Sequence, residues 1–215
     1  MARIAEDLLL LLLDNPSAQA QLDRARLTRI LAAALILDVA HDCRVRPSLP
    51  SDPIPPGLLV ALAGPLPMDP AVRQTLAVLT QGPITPAAAI TKLRKHAEDD
   101  VLDQLLRTGQ IHQVGLSTYR LRRNTYAWPV KNRDRVDAIR EAVQSVLLRR
   151  SRSDAVTTAI IGLLHRSGAL QTALDVNDES YYRADEIAGG MWPDGSSTAE
   201  VNLALTAAMV LPTLG

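Results

Sequence analysis

The chain has 215 residues, 47% of them hydrophobic and 21% charged, which is typical of a globular protein and excludes an intrinsically disordered one. Its 23 basic and 23 acidic residues give zero formal net charge, which argues against a broad basic surface for nucleic acid but leaves room for a local basic pocket. Cys43 is the only cysteine, so a disulfide within this chain is excluded and we expect a reducing, cytoplasmic location.

Six consecutive leucines, Leu8 to Leu13, stand near the start of the chain, between Glu6-Asp7 and Asp14. At about 100° per residue, six leucines wrap more than one turn of helix, so no face is left for water. A membrane span needs about 20 apolar residues, and a secretory signal core needs about 7–15 after a basic leader, so neither fits. We therefore predict a short helix buried in the core.

The remaining chain is predicted to be mostly helical. A long helix over residues 22–42 is basic in its first turns and apolar later. Residues 47–70 hold eight of the 14 prolines, which predict a loop packed on the surface, and the acidic residues 175–186 are expected to form a solvated connector. Further helices are predicted over residues 70–81, 86–107, 134–148, 153–170 and 196–211, with a β-hairpin over residues 110–122.

These elements predict a mostly α fold class. We expect a single helical domain spanning residues 1–215, built around the buried leucine-rich N-terminal helix, with one protruding β-hairpin. No internal repeat is evident.

Signatures of catalysis are weak. His41 and Cys43 place an imidazole near a thiol, but such close neighbours at a helix end seldom meet in catalytic geometry, and a buried structural cysteine is the simpler interpretation. The four histidines lack metal-ligand spacing, and no glycine-rich phosphate loop is present. We therefore expect no catalytic residue, no metal and no cofactor.

Residues 85–122 have the helix, turn, helix and hairpin order of a winged helix. The acidic side chains of this segment fall where a recognition helix meets DNA phosphates, and each repels the backbone that supplies most of the affinity. Those side chains are Glu98, Asp99, Asp100 and Asp103. A DNA-binding regulator is therefore only a third interpretation, and no nucleic-acid partner is expected.

Four segments, taken in order, resemble the Golgi phosphoprotein 3 family. They are IAEDLLLLLLD, RILAAALILDVAHDCRV, VLDQLLRTGQIHQVGLSTYRL and AIIGLLHRSGALQTAL, and the similarity runs from Ile4 to about Met209. The resemblance implies a mostly helical domain with a protruding hairpin. It also implies a non-enzymatic peripheral membrane protein that binds phosphatidylinositol-4-phosphate.

The resemblance also indicates where a lipid headgroup is expected to bind. The first basic position of the family's pocket falls on Arg94 or Lys95, and the second falls on Ala97 or Glu98. The family's Trp and Arg positions near the start of the second helix fall near Asp23 and Ala32. Arg24, Arg26 and Arg29 supply a rearranged basic patch or, equally, only solvate the start of that helix.

The hairpin is the family's apolar element for membrane contact or self-association. Here Val114-Gly115-Leu116 is predicted to form its tip, with Ile111, Tyr119 and Leu121 along its sides. Full burial of two such aliphatic side chains is worth roughly 3–6 kcal/mol, enough for reversible membrane contact. Arg120, Arg122 and Arg123 are placed to contact anionic lipid; packing on the domain itself or on a second copy is the alternative.

The sequence thus predicts a peripheral protein on the inner face of a membrane, with an anionic phospholipid or phosphoinositide headgroup as its partner. The alternative is a protein-interaction or oligomerisation module that has lost headgroup binding, with a homo-oligomer forming through the hairpin.

Overall fold

The computed structural model describes residues 3–116, 126–148, 153–174 and 176–215. Within these ranges the chain forms ten α-helices and two short antiparallel strand pairs, so the predicted mostly α fold class with a small hairpin is confirmed. The helices are α1 (Ile4–Leu13), α2 (Arg24–His41), α3 (Pro70–Leu79), α4 (Pro86–Leu93), α5 (Ala97–Arg107), α6 (Arg133–Leu147), α7 (Ala155–Arg166), α8 (Leu170–Ala173), α9 (Asp178–Ala188) and α10 (Thr198–Val210), followed by a 3-10 helix (Leu211–Leu214). The strands are β1 (Val45–Pro47), β2 (Leu59–Ala61), β3 (Val114–Gly115) and β4 (Tyr126–Ala127).

The leucine helix α1 is buried on every side, as its pattern predicts. All ten of its residues are buried, and its six leucine side chains are between 0 and 4% exposed. It packs against α2, α5, α6 and α7, and with the apolar part of α2 it forms the centre of the hydrophobic core. The helix therefore needs no polar face, because every side meets another helix.

The acidic residues at the start of α1 are paired with an arginine of α6. Arg135 lies 2.6 Å from the Asp7 carboxylate and 3.0 Å from that of Glu6. At the other end of α1, the Asp14 carboxylate is 2.7 Å from Arg140 and also contacts Arg133. Buried carboxylates require such partners, so these pairs are what allows acidic side chains to flank a buried helix.

The proline-rich segment forms more structure than the predicted loop. Strands β1 and β2 pair antiparallel, with Val45 opposite Ala61, and both Val45 and Leu59 are buried in the core. Extended backbone is what the proline density favours, and the strand pair uses it. Beyond β2 the chain is a surface segment in which Leu66 and Met68 are 73% and 89% exposed.

Two predictions of local structure were wrong. The continuous helix over residues 86–107 is divided into α4 and α5 by the turn at residues 94–96, and both helices pack against α2. The segment that was expected to be a solvated connector contains most of α9. The Asn177 side chain caps this helix by accepting a hydrogen bond from the Ser180 amide. Ala184 and Ile187 on α9 are buried, and the helix packs against α7. Its short apolar stripe was obscured by the surrounding charges.

The hairpin is present, but its predicted turn was wrong. Val114 pairs with Ala127 and Gly115 with Tyr126, so Gly115 belongs to a strand and not to the tip. The two strands are separated by residues 116–125, of which 117–125 lie outside the described residues. Two predicted hairpin residues, Tyr119 and Leu121, fall there, as do Arg120, Arg122 and Arg123.

Candidate functional site

Arg24, the first predicted headgroup ligand on α2, faces the start of α5. Its Nε lies 3.5 Å from Glu98 Oε2. Burial raises the pKa of the Glu98 carboxyl, and the Arg24 charge opposes that rise. Glu98, which occupies the second family position, therefore partly neutralises Arg24.

Arg94 and Lys95 lie in the turn that precedes α5, on the same side of α2 as Arg24 and Glu98. Both side chains are exposed, and neither forms an ion pair with any residue that the structure describes. Lys95 precedes Glu98 by three residues, and Asp99 follows Glu98, so carboxylates of the first turn of α5 stand beside these basic side chains. This cluster is a shallow, mostly solvated basic surface.

Arg26 and Arg29 face the opposite side of the α2 N-terminal turns from Arg24 and line a cavity with the end of α7. Asp23 caps α2 by accepting a hydrogen bond from the Arg26 amide, and its carboxylate lies 3.1 Å from Arg26 Nε. Arg29 Nη2 donates to the Thr213 carbonyl at 2.7 Å. The three predicted arginines of α2 therefore belong to two separate places.

The cavity holds about 350 Å³ and has a third arginine that the sequence analysis did not identify, Arg166, in the last turn of α7. Arg166 Nη2 donates to the Ala188 carbonyl at 3.0 Å, whereas its buried Nε has no hydrogen-bond partner among the described residues. The sequence signal was only an arginine before a helix-ending Ser-Gly, which is ordinary at a helix C-terminus. The full lining is Arg26, Arg29, Ile30, Arg166, Ser167, Gly168, Leu214 and Gly215.

The base of the hairpin contacts the segment that leads into α2. Trp128 donates its backbone N–H to the Ala18 carbonyl at 2.7 Å, and Gln19 Nε2 donates to the Tyr126 carbonyl at 3.0 Å. The base of the hairpin therefore rests on the segment that leads into α2.

The described hairpin side chains divide into exposed and buried ones. Val114 and Leu116 are 39% and 50% exposed, as a contact surface requires. Tyr126, which was not among the predicted hairpin residues, is also exposed and lies with its ring 5.9 Å from that of Trp128. Ile111 is only 2% exposed and forms a bridge with Val130, so its predicted role in membrane or oligomer contact was wrong.

The weak catalytic candidate lies at the end of α2, where His41 and Cys43 line the same surface pocket. Asp42 forms an ion pair with Arg3 at 2.7 Å, and Cys43 is half-buried with a φ of 54° in the turn after α2. In the described part of the chain, no group of three or more His, Cys, Asp or Glu residues is arranged to hold a metal ion.

None of the helices described here is long and apolar enough to cross a membrane. Comparison of the chain with curated proteins found no match. A family model described as Golgi phosphoprotein 3 (GPP34) matches residues 4–208, which covers the structure from α1 into α10. The chain belongs to the Golgi phosphoprotein 3 family.

Proposed function

We propose that this protein is a non-enzymatic peripheral membrane protein that binds anionic phospholipid, with phosphatidylinositol-4-phosphate as the headgroup that its family suggests. One observation carries the proposal: basic side chains lie in and around the first turns of α2, and the exposed apolar hairpin contacts the segment that leads into α2. The basic side chains are Arg24, Arg26, Arg29, Arg94, Lys95 and Arg166.

The energies of this arrangement suit reversible binding. Each Lys or Arg near an anionic surface contributes about 1 kcal/mol, and burying the exposed parts of Val114 and Leu116, which are 39% and 50% exposed, adds about 1–3 kcal/mol. Neither contribution alone holds a protein firmly on a membrane, whereas the two together do. Both must therefore act on the same membrane surface.

Co-sedimentation with liposomes tests the proposal. Three compositions are compared at low and physiological salt: phosphatidylcholine alone, phosphatidylcholine with phosphatidylserine, and phosphatidylcholine with phosphatidylinositol-4-phosphate at equal charge. Binding that needs the phosphoinositide supports recognition of that headgroup. Binding to either anionic liposome that fades with salt supports a diffuse basic surface. No binding to any liposome overturns the proposal.

A charge-reversal pair locates the surface. Arg94→Glu with Lys95→Glu is expected to reduce binding at least tenfold, because it replaces two attractions by two repulsions. Arg73→Glu with Arg107→Glu makes the same change in net charge on exposed side chains of α3 and α5 and serves as the matched control. Equal losses in both pairs would mean that only net charge matters.

The alternative is a protein-interaction or oligomerisation module that has lost headgroup binding. The Arg24–Glu98 pair favours it, because it partly neutralises one arginine of the predicted basic patch, and so do the exposed side chains of Val114 and Leu116. Light scattering coupled to size exclusion tests it. A dimer that Leu116→Asp converts to a monomer, together with no liposome binding, supports this alternative.

A further inference from the structure

The cavity between the start of α2 and the end of α7 brings together three arginine side chains, and Gly215, the last residue of the chain, also lines it. Three guanidinium groups line it, from Arg26, Arg29 and Arg166. Among the described residues, the only carboxylate paired with any of them is that of Asp23, which contacts Arg26. Such a cluster is destabilised by mutual repulsion unless an anion occupies it.

Two of these guanidinium groups are held in place by neutral partners. Arg29 donates to the Thr213 carbonyl and Arg166 donates to the Ala188 carbonyl. A carbonyl fixes the orientation of a guanidinium without neutralising its charge. Each group presents five N–H donors in a planar fork, so most of those donors remain available to a ligand. The site is thus preorganised before any ligand arrives.

Arg166 has an unmet hydrogen bond. Its Nε is buried and has no acceptor in the described structure. A buried donor without a partner costs free energy of about 1–3 kcal/mol, so native proteins rarely keep one without a purpose. This unmet donor belongs to one of the three arginines that line the cavity.

The remaining cavity wall limits what can bind. The Ser167 hydroxyl is used in a bond to the Leu164 carbonyl, and the apolar side chains of Ile30 and Leu214 complete the lining. Gly168 has a φ of 70°, the left-handed backbone conformation that favours glycine, and it forms part of the cavity wall beside Arg26. Recognition therefore depends on the guanidinium groups.

We propose that this cavity is a binding site for a phosphate monoester, held by Arg29 and Arg166 with Arg26 as the third ligand. Guanidinium forks match the oxygens of phosphate, and three of them favour a dianionic monoester over a monoanionic diester or carboxylate. The phosphate comes from a lipid headgroup or from a soluble phosphate compound. The first source rests on the proposed function, and the second does not.

The first experiment uses inorganic phosphate and no membrane. The Nε–H resonances of the arginines are followed by ¹⁵N NMR while phosphate is added to the full chain at constant ionic strength. We expect saturable shifts at Arg29 and Arg166, with acetate at equal concentration giving much smaller ones. Absence of a saturable shift at these two arginines overturns the proposal.

Variants then locate the site. Arg166→Lys keeps the positive charge but removes the fork and the buried Nε donor, and we expect it to weaken phosphate binding at least tenfold. Arg107→Lys makes the same change on α5, outside the cavity, and should leave binding unchanged. If Arg166→Lys binds phosphate like the unmodified protein, the assignment is wrong.

Vesicles distinguish the two sources and separate this inference from the proposed function. Vesicles with phosphatidic acid, a monoester, are compared with vesicles of phosphatidylglycerol, a diester, at matched charge. Preference for the monoester that Arg166→Lys abolishes assigns the site to a lipid. Phosphate binding in solution without vesicle binding supports the site and contradicts the proposed function. Vesicle binding without phosphate binding in solution supports the proposed function and contradicts the assignment of this cavity as a phosphate site.

Discussion

The carboxylate of Asp38, in the last turn of α2, accepts a hydrogen bond from the backbone amide of Ile4 at 2.7 Å and so caps the start of the buried leucine helix. Its second oxygen accepts from the Ala5 amide at 3.1 Å. The residue at the usual capping position, Arg3, provides no side-chain hydrogen bond to α1. The first turn of a helix leaves amides without partners, and here they are buried, so a cap from another helix is needed.

Asp38→Ala tests this cap. The change leaves two buried amides without acceptors, and at about 1–3 kcal/mol for each, we expect the free energy of unfolding to fall by about 2–6 kcal/mol. Urea unfolding followed by circular dichroism measures it. Asp99→Ala, an exposed position on α5, is the matched control and should change stability by less than about 0.5 kcal/mol. Equal effects would mean that Asp38 does not cap α1.

Asp38 also makes the stability of the protein depend on pH. Burial raises the pKa of its carboxyl from 3.8 to about 7, although the Ala5 and Ile4 amides and Arg3 oppose the rise. The folded state therefore binds more protons than the unfolded state across this interval. This contribution to stability is complete below about pH 4 and is lost as the pH rises through about 7.

Asp38→Asn removes this titration. Asn can accept only one of the two amide hydrogen bonds, so the variant should be less stable than the unmodified protein, but its own stability should lack the Asp38 contribution to pH dependence. At about 1.4 kcal/mol per pKa unit, the difference in the free energy of unfolding between the two proteins should shift by several kcal/mol in favour of Asp38→Asn from pH 4 to pH 8. A constant difference across that range, or a ¹³C titration of the Asp38 carboxyl near pH 4, would contradict the expectation.

The burial of α1 could be predicted because its signal is local. Six adjacent leucines leave no face for water whatever surrounds them. The Asp38 cap could not be predicted, because Asp38 lies 34 residues beyond Ile4 and only the packing of α2 against α1 brings the two residues together. A carboxylate inside an apolar helix was the one visible sign of it.

The candidate site was predictable only in part for a similar reason. Arg24, Arg26 and Arg29 lie close together in sequence in the first turns of α2, so the sequence indicated a basic patch there. The turn spacing of a helix separated Arg24 from the other two, and tertiary packing added Arg166 from α7. In the hairpin, Gly115 favoured a turn, yet the pairing with Tyr126 placed it in a strand.

Arg135 is expected to be the most important ion-pairing residue between α1 and α6. Arg135→Ala leaves the carboxylates of Glu6 and Asp7, which are 7% and 3% exposed, without their cation. Breaking such a buried pair typically costs about 3–5 kcal/mol. The side chain of Arg133, which pairs with Asp14, is 64% exposed. Arg133→Ala should therefore lower the free energy of unfolding by less than about 1 kcal/mol. Chemical denaturation of both variants compares them.

The cost of Arg135→Ala should also depend on pH. Burial already raises the pKa of the Asp7 carboxyl, although Arg135 acts against the rise, and without Arg135 the pKa rises further. Protonation then relieves the unpaired charge, so the loss of stability should be smaller at pH 4 than at pH 7. A loss that is the same at both values would show that the carboxylates find other partners.

Ile111 and Leu116 should behave in opposite ways although both were predicted to lie on the contact surface of the hairpin. Ile111 is 2% exposed, so Ile111→Ala creates a cavity and should lower the free energy of unfolding by about 2–5 kcal/mol. Leu116 is 50% exposed, so Leu116→Ala should change stability by less than about 0.5 kcal/mol while weakening vesicle binding or self-association. Thermal unfolding and the liposome assay are measured on the same two variants. A destabilised Leu116→Ala protein would mean that this end of β3 packs on its own domain, which removes the exposed apolar surface on which membrane contact depends.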